Sequence, residues 1–292
     1  MAKLSHIFEY LLAISAQKMF RLCSASFADK LGGMAGSFMH MVMSSRREVS
    51  ISNLKNAFGD DLSNLEASEI TREVFKNIGR TFAEVSRFGI TKPRDIFKIV
   101  KGDGKQIFDR VREEGKGALV ATAHFGNWEV LGAWVASAGY ETDLIVLSQH
   151  NELFDDELQK KRKSMGVGII EVGKNIRQVF RVLSENHMVV IAADQHESTG
   201  SLIIEFFGQQ ASASKGPGIL SVRTKAPVIP ALVMRKNYDD YQLIVGEPIY
   251  PPAEGTQEDK VRKIVEMYHA FLEINIRKFP TQWLWTHRRW KI

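Results

Sequence analysis

Apolar positions in the first third of the chain recur at helical spacing. Leu4, Ile7, Phe8, Leu11, Leu12, Met19 and Leu22 fall on one face of a helix. His6, Glu9, Lys18 and Arg21 interrupt the stretch. A spanning helix needs about 20 mostly apolar residues, and a charge near its centre costs roughly 2.5–3.5 kcal/mol. Glu9 therefore argues against a simple span, and no cleavage site marks a signal peptide. Two readings remain: an amphipathic helix lying in a membrane interface, or a helix packed on the protein's own core. Met34, Met39, Met41 and Met43 continue an adaptable apolar surface that suits either. Further on, Ile51, Leu54 and Phe58 repeat helically until Gly59 closes the segment. Ser68-Glu69 opens another predicted helix, with Ile70, Val74, Ile78 and Phe82 on one face. Thr91-Lys92-Pro93 breaks it.

Beyond about residue 95 the rhythm changes. Short apolar runs at 117–123, 143–147, 168–172, 188–193, 202–207, 228–234 and 241–245 read as strands. Helical segments at 127–138, 153–165, 176–186 and 216–225 separate most of them, and 257–278 reads as a long closing helix. This alternation predicts an α/β fold with a central, mostly parallel sheet flanked by helices. The expected organisation is a helical, membrane-associating segment over 1–92 and an α/β domain over 93–292.

Composition adds little beyond context. Of the 292 residues, 44% are hydrophobic and 25% charged, which is ordinary for a folded chain. The net charge of +5 suits an anionic lipid surface, an acidic carrier protein or nucleic acid and does not choose among them. The single cysteine, Cys23, excludes an internal disulfide and a multi-cysteine zinc site, and in its apolar helix it reads as a small core residue.

Candidate chemistry concentrates at Ala121-Thr122-Ala123-His124-Phe125-Gly126-Asn127-Trp128-Glu129, where a buried strand ends and a helix begins. In open α/β sheets ligands gather at such strand ends. His124 can take a proton from a hydroxyl near neutral pH. Positions five apart on one helix point about 140° apart. His124 and Glu129 therefore meet only if the histidine stands in the loop and the glutamate in the first helical turn. Gly126 gives the turn its freedom and Asn127 can cap the helix. The expected arrangement has Glu129 on one imidazole nitrogen and the other nitrogen free as a base. A core histidine beside a surface glutamate is the alternative.

His124-Phe125-Gly126-Asn127-Trp128-Glu129 resembles the H-x4-D/E motif of the lysophospholipid acyltransferase superfamily, in a form closest to the lipid A biosynthesis (lauroyl/myristoyl-type) acyltransferases. Arg46 with Asn53-Leu54 and Ala57-Phe58, then Asp194-Gln195, Phe206-Phe207-Gly208 and the segment Pro280 to Trp290 are also similar to that family, in order along nearly the whole chain. The resemblance implies a glycerolphosphate-acyltransferase-like fold and His124 as general base with Glu129 as its partner. It also implies Asn127, Arg162, Asp194 and Gln195 in the substrate site. It further implies an acyl-acyl carrier protein or acyl-CoA donor with no bound cofactor or metal, and a membrane lipid acceptor, a lipid A precursor before a simpler lysolipid. Acyl carrier protein and an anionic membrane surface are the expected partners, not nucleic acid, and the expected place is the cytoplasmic face of the bacterial inner membrane. From the residues alone, Arg162 could bind a phosphate or steady an oxyanion, or belong to a solvated face with Lys160, Lys161 and Lys163. Asp194 could be buried and paired, or cap a strand end. Trp283, Trp285 and Trp290 with Arg288, Arg289 and Lys291 form an aromatic-basic cluster fit for lipid headgroups or for docking into the core.

Rival enzyme classes lack their marks. There is no G-x-S-x-G nucleophile elbow and no H-E-x-x-H zinc motif. Gly102-Asp103-Gly104 is followed by Ile107 where a dinucleotide-binding loop needs glycine. A basic, amphipathic lipid-binding or nucleic-acid-binding module without catalysis would leave His124 and Glu129 with no role.

Overall fold

The computed structural model describes residues 4–147, 151–172, 176–196 and 200–290, and side chains within them except those of Leu4, Ser5 and Phe8. Lys291 of the aromatic-basic cluster lies outside the described residues. The chain opens with helices α1 (Leu4–Leu22), α2 (Ala25–Val42), α3 (Ser44–Phe58) and α4 (Asn64–Ser86), followed by α5 (Pro93–Ile99). Then come β1 (Val100–Lys101), α6 (Lys105–Glu113), β2 (Ala118–Thr122), α7 (Trp128–Ser137), β3 (Thr142–Val146) and α8 (Glu152–Ser164). β4 (Val167–Glu171), α9 (Ile176–Ser184), β5 (Met188–Ala192), β6 (Leu202–Phe206) and β7 (Gln209–Ala213) follow. The chain closes with α10 (Gly216–Thr224), β8 (Val228–Asn237), β9 (Asp240–Val245) and α11 (Gln257–Lys278). The main sheet runs β1-β9-β8-β2-β5-β3-β4. β8, β2, β5, β3 and β4 are mutually parallel, and the β8–β9 pair is antiparallel. β6 and β7 form a separate antiparallel hairpin. The expected α/β fold with a mostly parallel sheet is what the chain adopts.

β2 is buried at every position, the mark of a central parallel strand covered on both faces. One core layer joins Leu119 and Val189 of the sheet to Leu54, Ala57, Ala67 and Val74 of α3 and α4, so the helical N-terminal third shares the core of the sheet. α4 begins at a capping box, Ser63 with Glu66, five residues before the expected start at Ser68. α2 crosses α4 backbone to backbone. A side chain added at Gly36 would stand 2.2 Å from the Phe75 carbonyl oxygen, and one at Gly79 2.1 Å from that of Gly32. Only residues without a Cβ allow this approach.

The two terminal apolar regions resolve differently. α1 buries Gln17 and Phe20, and Phe20 packs edge-on against Phe82 at 6.0 Å. Cys23 packs, half-buried, against the same small cluster, as expected of a core cysteine. The other face of α1, with Leu11, Leu12, Met19 and Leu22, stands exposed, as does the α2 stripe Phe27, Met34, Phe38 and Met41. Among the described residues no helix is long and apolar enough to cross a membrane. The C-terminal tryptophans instead enter the core: Trp283 and Trp285 are buried and Trp290 is half-buried. That corrects the headgroup reading of this cluster. Its tryptophans pack against Phe206, Phe207 and Phe58, and Arg289 is enclosed with them over the Phe206 ring at 5.0 Å.

Candidate active site

Register places the central pair. β2 and β5 are parallel neighbours with Ala118 opposite Met188 and Thr122 opposite Ala192, a constant offset of 70 residues. Ala193 N–H donates to the Thr122 carbonyl at 3.1 Å, carrying the ladder one step further. Continued once more, the same offset sets His124 beside Asp194. The Asp194 carboxylate receives the His124 backbone N–H on Oδ2 at 3.0 Å and faces imidazole Nδ1 with Oδ1 at 2.8 Å. Trp283 Nε1 donates to Oδ2 at 2.8 Å. Asp194 is 2% exposed, so these bonds are what make a buried carboxylate tolerable. Of the two readings of Asp194, the buried and paired one is correct.

This pairing corrects the expectation that Glu129 holds the imidazole. Glu129 does sit in the first turn of α7 with His124 in the loop before it, but both of its oxygens face Arg162. Oε2 accepts from Nε at 2.8 Å and Oε1 from Nη2 at 2.6 Å. The fork geometry favours this arginine over a single imidazole N–H as the partner of a largely buried carboxylate. Arg162, on α8, is thus drawn off its lysine-rich face and into the site, and its charge neutralises Glu129 beside the histidine. Among the described residues no hydrogen bond engages His124 Nε2.

The loop carrying His124 is stitched on all sides. Gly126 adopts a positive φ of 56°, and a Cβ there would lie 1.9 Å from the Val233 carbonyl oxygen. Its N–H donates to the Gln282 carbonyl at 2.8 Å, and Leu284 N–H donates to the His124 carbonyl at 2.9 Å. Asn127 caps α7, its Oδ1 receiving the Glu129 and Val130 N–H groups at 3.2 Å. Its Nδ2 donates to Glu84 at 2.6 Å. Asn127 is fully buried, and in this structure both ends of its amide are engaged in the scaffold. Gln195 follows Asp194 at the strand end, half-buried.

Several contributors escaped sequence reasoning. Glu84 pairs with buried Arg235, whose Nη2 also donates to Thr81 at 3.2 Å, so α4 and β8 brace the start of α7 together. Asn53 donates to the carbonyls of Trp285 and His287 at 2.7 and 2.6 Å, fixing the segment that carries Trp283. Arg46 and Asn53 share α3 and lie far in sequence from Trp283, and only their common place in the quoted pattern hints that they converge.

Electrostatics follow from this geometry. Burial pushes the His124 imidazole down, but the Asp194 carboxylate and its hydrogen bond, aided by Glu129, outweigh burial and raise it above its ordinary 6.5. Burial pushes Asp194 up, yet His124 and the Trp283 and backbone donors prevail and hold it down at about 2. The site is a histidine with one nitrogen anchored on an ionised carboxylate and the other open, next to a neutralised Glu129–Arg162 pair.

Residues 2–292 match the profile of the bacterial lipid A biosynthesis acyltransferases. The chain belongs to this family. Proteins similar to this chain include the lipid A biosynthesis palmitoleoyltransferase of Escherichia coli (strain K12), 23% identical over 89% of this chain and 84% of the relative. The E. coli lipid A biosynthesis lauroyltransferase is 23% identical over 90% and 84%. The phosphatidylinositol mannoside acyltransferase of Mycobacterium tuberculosis (strain ATCC 25618 / H37Rv) is 24% identical over 74% and 68%. The protein is therefore an acyltransferase of the lipid A biosynthesis family, and the segment His124 to Glu129 of this chain lines the site described above.

Proposed function

We propose that this acyltransferase moves a fatty acyl group from a thioester, on acyl carrier protein or coenzyme A, to a hydroxyl of a lipid acceptor at a membrane surface. His124 is the general base. The observation that carries this reading is the Nδ1–Asp194 contact at 2.8 Å. It fixes the tautomer with the proton on Nδ1 and leaves a lone pair on Nε2 aimed at the acceptor. The acceptor hydroxyl gives its proton to Nε2 as its oxygen attacks the thioester carbonyl. The oxyanion that forms collapses, the C–S bond breaks, and the imidazolium returns its proton to the departing thiolate. Arg162, bonded to Glu129 through Nε and Nη2, brings the positive charge beside the imidazole that steadies the oxyanion. Holding two substrates together supplies a large share of the rate.

The exposed apolar faces of α1 and α2 and the net charge of +5 support attachment to an anionic bilayer without a span, at the cytoplasmic face of the inner membrane. A lipid A precursor is the favoured acceptor because two of the similar proteins named above are lipid A acyltransferases. The phosphatidylinositol mannoside enzyme points to a glycolipid of another kind as the second reading.

The test is the His124→Ala variant, assayed with an acyl thioester and vesicles containing acceptor lipid. Transfer is expected to fall by roughly 10²–10⁴ while the circular dichroism and vesicle binding stay at wild-type levels. Undiminished transfer would remove His124 from the chemistry.

A further inference from the structure

A cavity opens beside the strand end that carries Asp194 and His196. It encloses about 400 Å³ and is lined by Ser45, Arg46, Val49, His196, His287 and Arg288. Such a volume falls in the range of small-ligand sites, roughly 300–1,000 Å³. Three separate pieces of chain meet there: the start of α3, the strand end two residues past Asp194, and the C-terminal segment. Arg46 Nη1 donates to the Thr286 carbonyl at 3.2 Å, and Asn53 holds the His287 carbonyl at 2.6 Å, so the walls are tied to each other.

The lining is cationic. Every ionisable residue that lines the cavity is an arginine or a histidine. Nδ1 of His196 and Nδ1 of His287 are both buried and, among the described residues, without a hydrogen-bond partner. Burial holds His287 below its ordinary value. Asp194 opposes this, but the charges of His124, Arg46 and His196 push it further down. The same influences place the cavity within electrostatic reach of the catalytic imidazole. A compact, multiply charged oxyanion satisfies this lining: forked guanidinium donors suit its oxygens, and imidazole N–H groups complete the shell.

We propose that this cavity is a subsite for a phosphate ester of one of the substrates, which it anchors so that the reacting group lies against His124. The positioning role rests on the reading of His124 as the centre of acyl transfer; the binding does not. The phosphate belongs either to the lipid acceptor's headgroup or to the donor's phosphopantetheine arm.

The test titrates the full-length protein with inorganic phosphate, following the side-chain resonances of His196 and His287. Saturable shifts of both are expected. Binding should weaken by about tenfold or more in Arg288→Ala and in Arg46→Gln, persist in Arg288→Lys, and remain unchanged in His124→Ala. Dihexanoyl phosphatidic acid and 4′-phosphopantetheine then compete separately against phosphate. Displacement by the first assigns the subsite to the acceptor, displacement by the second to the donor, and either sustains it. Absence of saturable binding, or equal binding by Arg288→Ala and Arg46→Gln, overturns it. Should His124→Ala keep acyl transfer while phosphate still binds, the base assignment fails and the subsite stands.

Discussion

Trp283 and Trp285 at one end of the chain are enclosed in the core, Trp285 at 0% exposure, whereas at the other end Leu22 stands 89% exposed and Met34 67%. Both ends are rich in large apolar side chains beside basic residues. What separates them is backbone partnership. The C-terminal segment is held by Asn53 on the Trp285 and His287 carbonyls, and by bonds from Gly126 and to His124, so its tryptophans have a fixed surface to fill. α1 and α2 are satisfied within their own helices and need contact on one face only, Phe20 in α1 and the glycines 32, 33 and 36 in α2. Their outer faces stand exposed. A composition of large apolar and basic residues therefore serves as enclosed core in one place and as exposed surface in the other.

Replacing Trp285 with alanine attacks the enclosed end. A loss of about 3–5 kcal/mol in urea-induced unfolding is expected, because a large cavity opens beside Phe58 and Phe207. Asp194 would lose its Trp283 support with the segment, so activity should fall in parallel. A loss under about 1 kcal/mol would show that the C-terminal end is not part of the core. The next effect in size is at the base of the exposed end. Gly36→Ala gains about 1 kcal/mol in helix propensity, yet sets a methyl 2.2 Å from backbone that no side-chain rotation relieves. A net loss of about 1–2 kcal/mol in thermal unfolding is expected. Unchanged stability would mean that α2 and α4 are not in close contact. The smallest stability effects belong to Leu22→Ser, Met34→Ser and Met41→Ser, each within about 0.5 kcal/mol. Their effect lies in co-sedimentation with anionic vesicles, which should weaken by roughly tenfold per site that enters the bilayer. Unaltered vesicle binding in the triple variant would erase the functional side of the comparison.

Much of this was legible in the sequence. The change from helical periodicity to alternating buried strands and helices gave the layer order, because burial on both faces of parallel strands writes continuous apolar runs. β7 was not foreseen, since Gln209–Ala213 contains glutamines, alanines and a serine and no large apolar residue. The apolar period marks the start of α4 late because Leu65, inside its first turn, is solvent-exposed and the period begins only afterwards. In the site, the loop position of His124, the capping by Asn127 and the helical position of Glu129 followed from local chemistry. The partner of the imidazole did not. Choosing Asp194 over Glu129 depends on β2 lying beside β5 with an offset of 70, a non-local pairing that a single sequence does not specify. The Arg162–Glu129 fork likewise depends on α8 returning across the end of the sheet.

The central claim is that Asp194 sets the state of His124, and the pH dependence of kcat/KM tests it most directly. The base must be neutral to act, so activity should fall as pH drops through the imidazole's raised pKa, placing the acidic limb above 6.5. In Asp194→Asn the carboxylate charge is gone. The limb should then move to lower pH, and the plateau should fall by roughly 10²–10⁴ because the tautomer is no longer fixed. An acidic limb at or below 6.5 in the wild type, left in place by Asp194→Asn, would contradict the account.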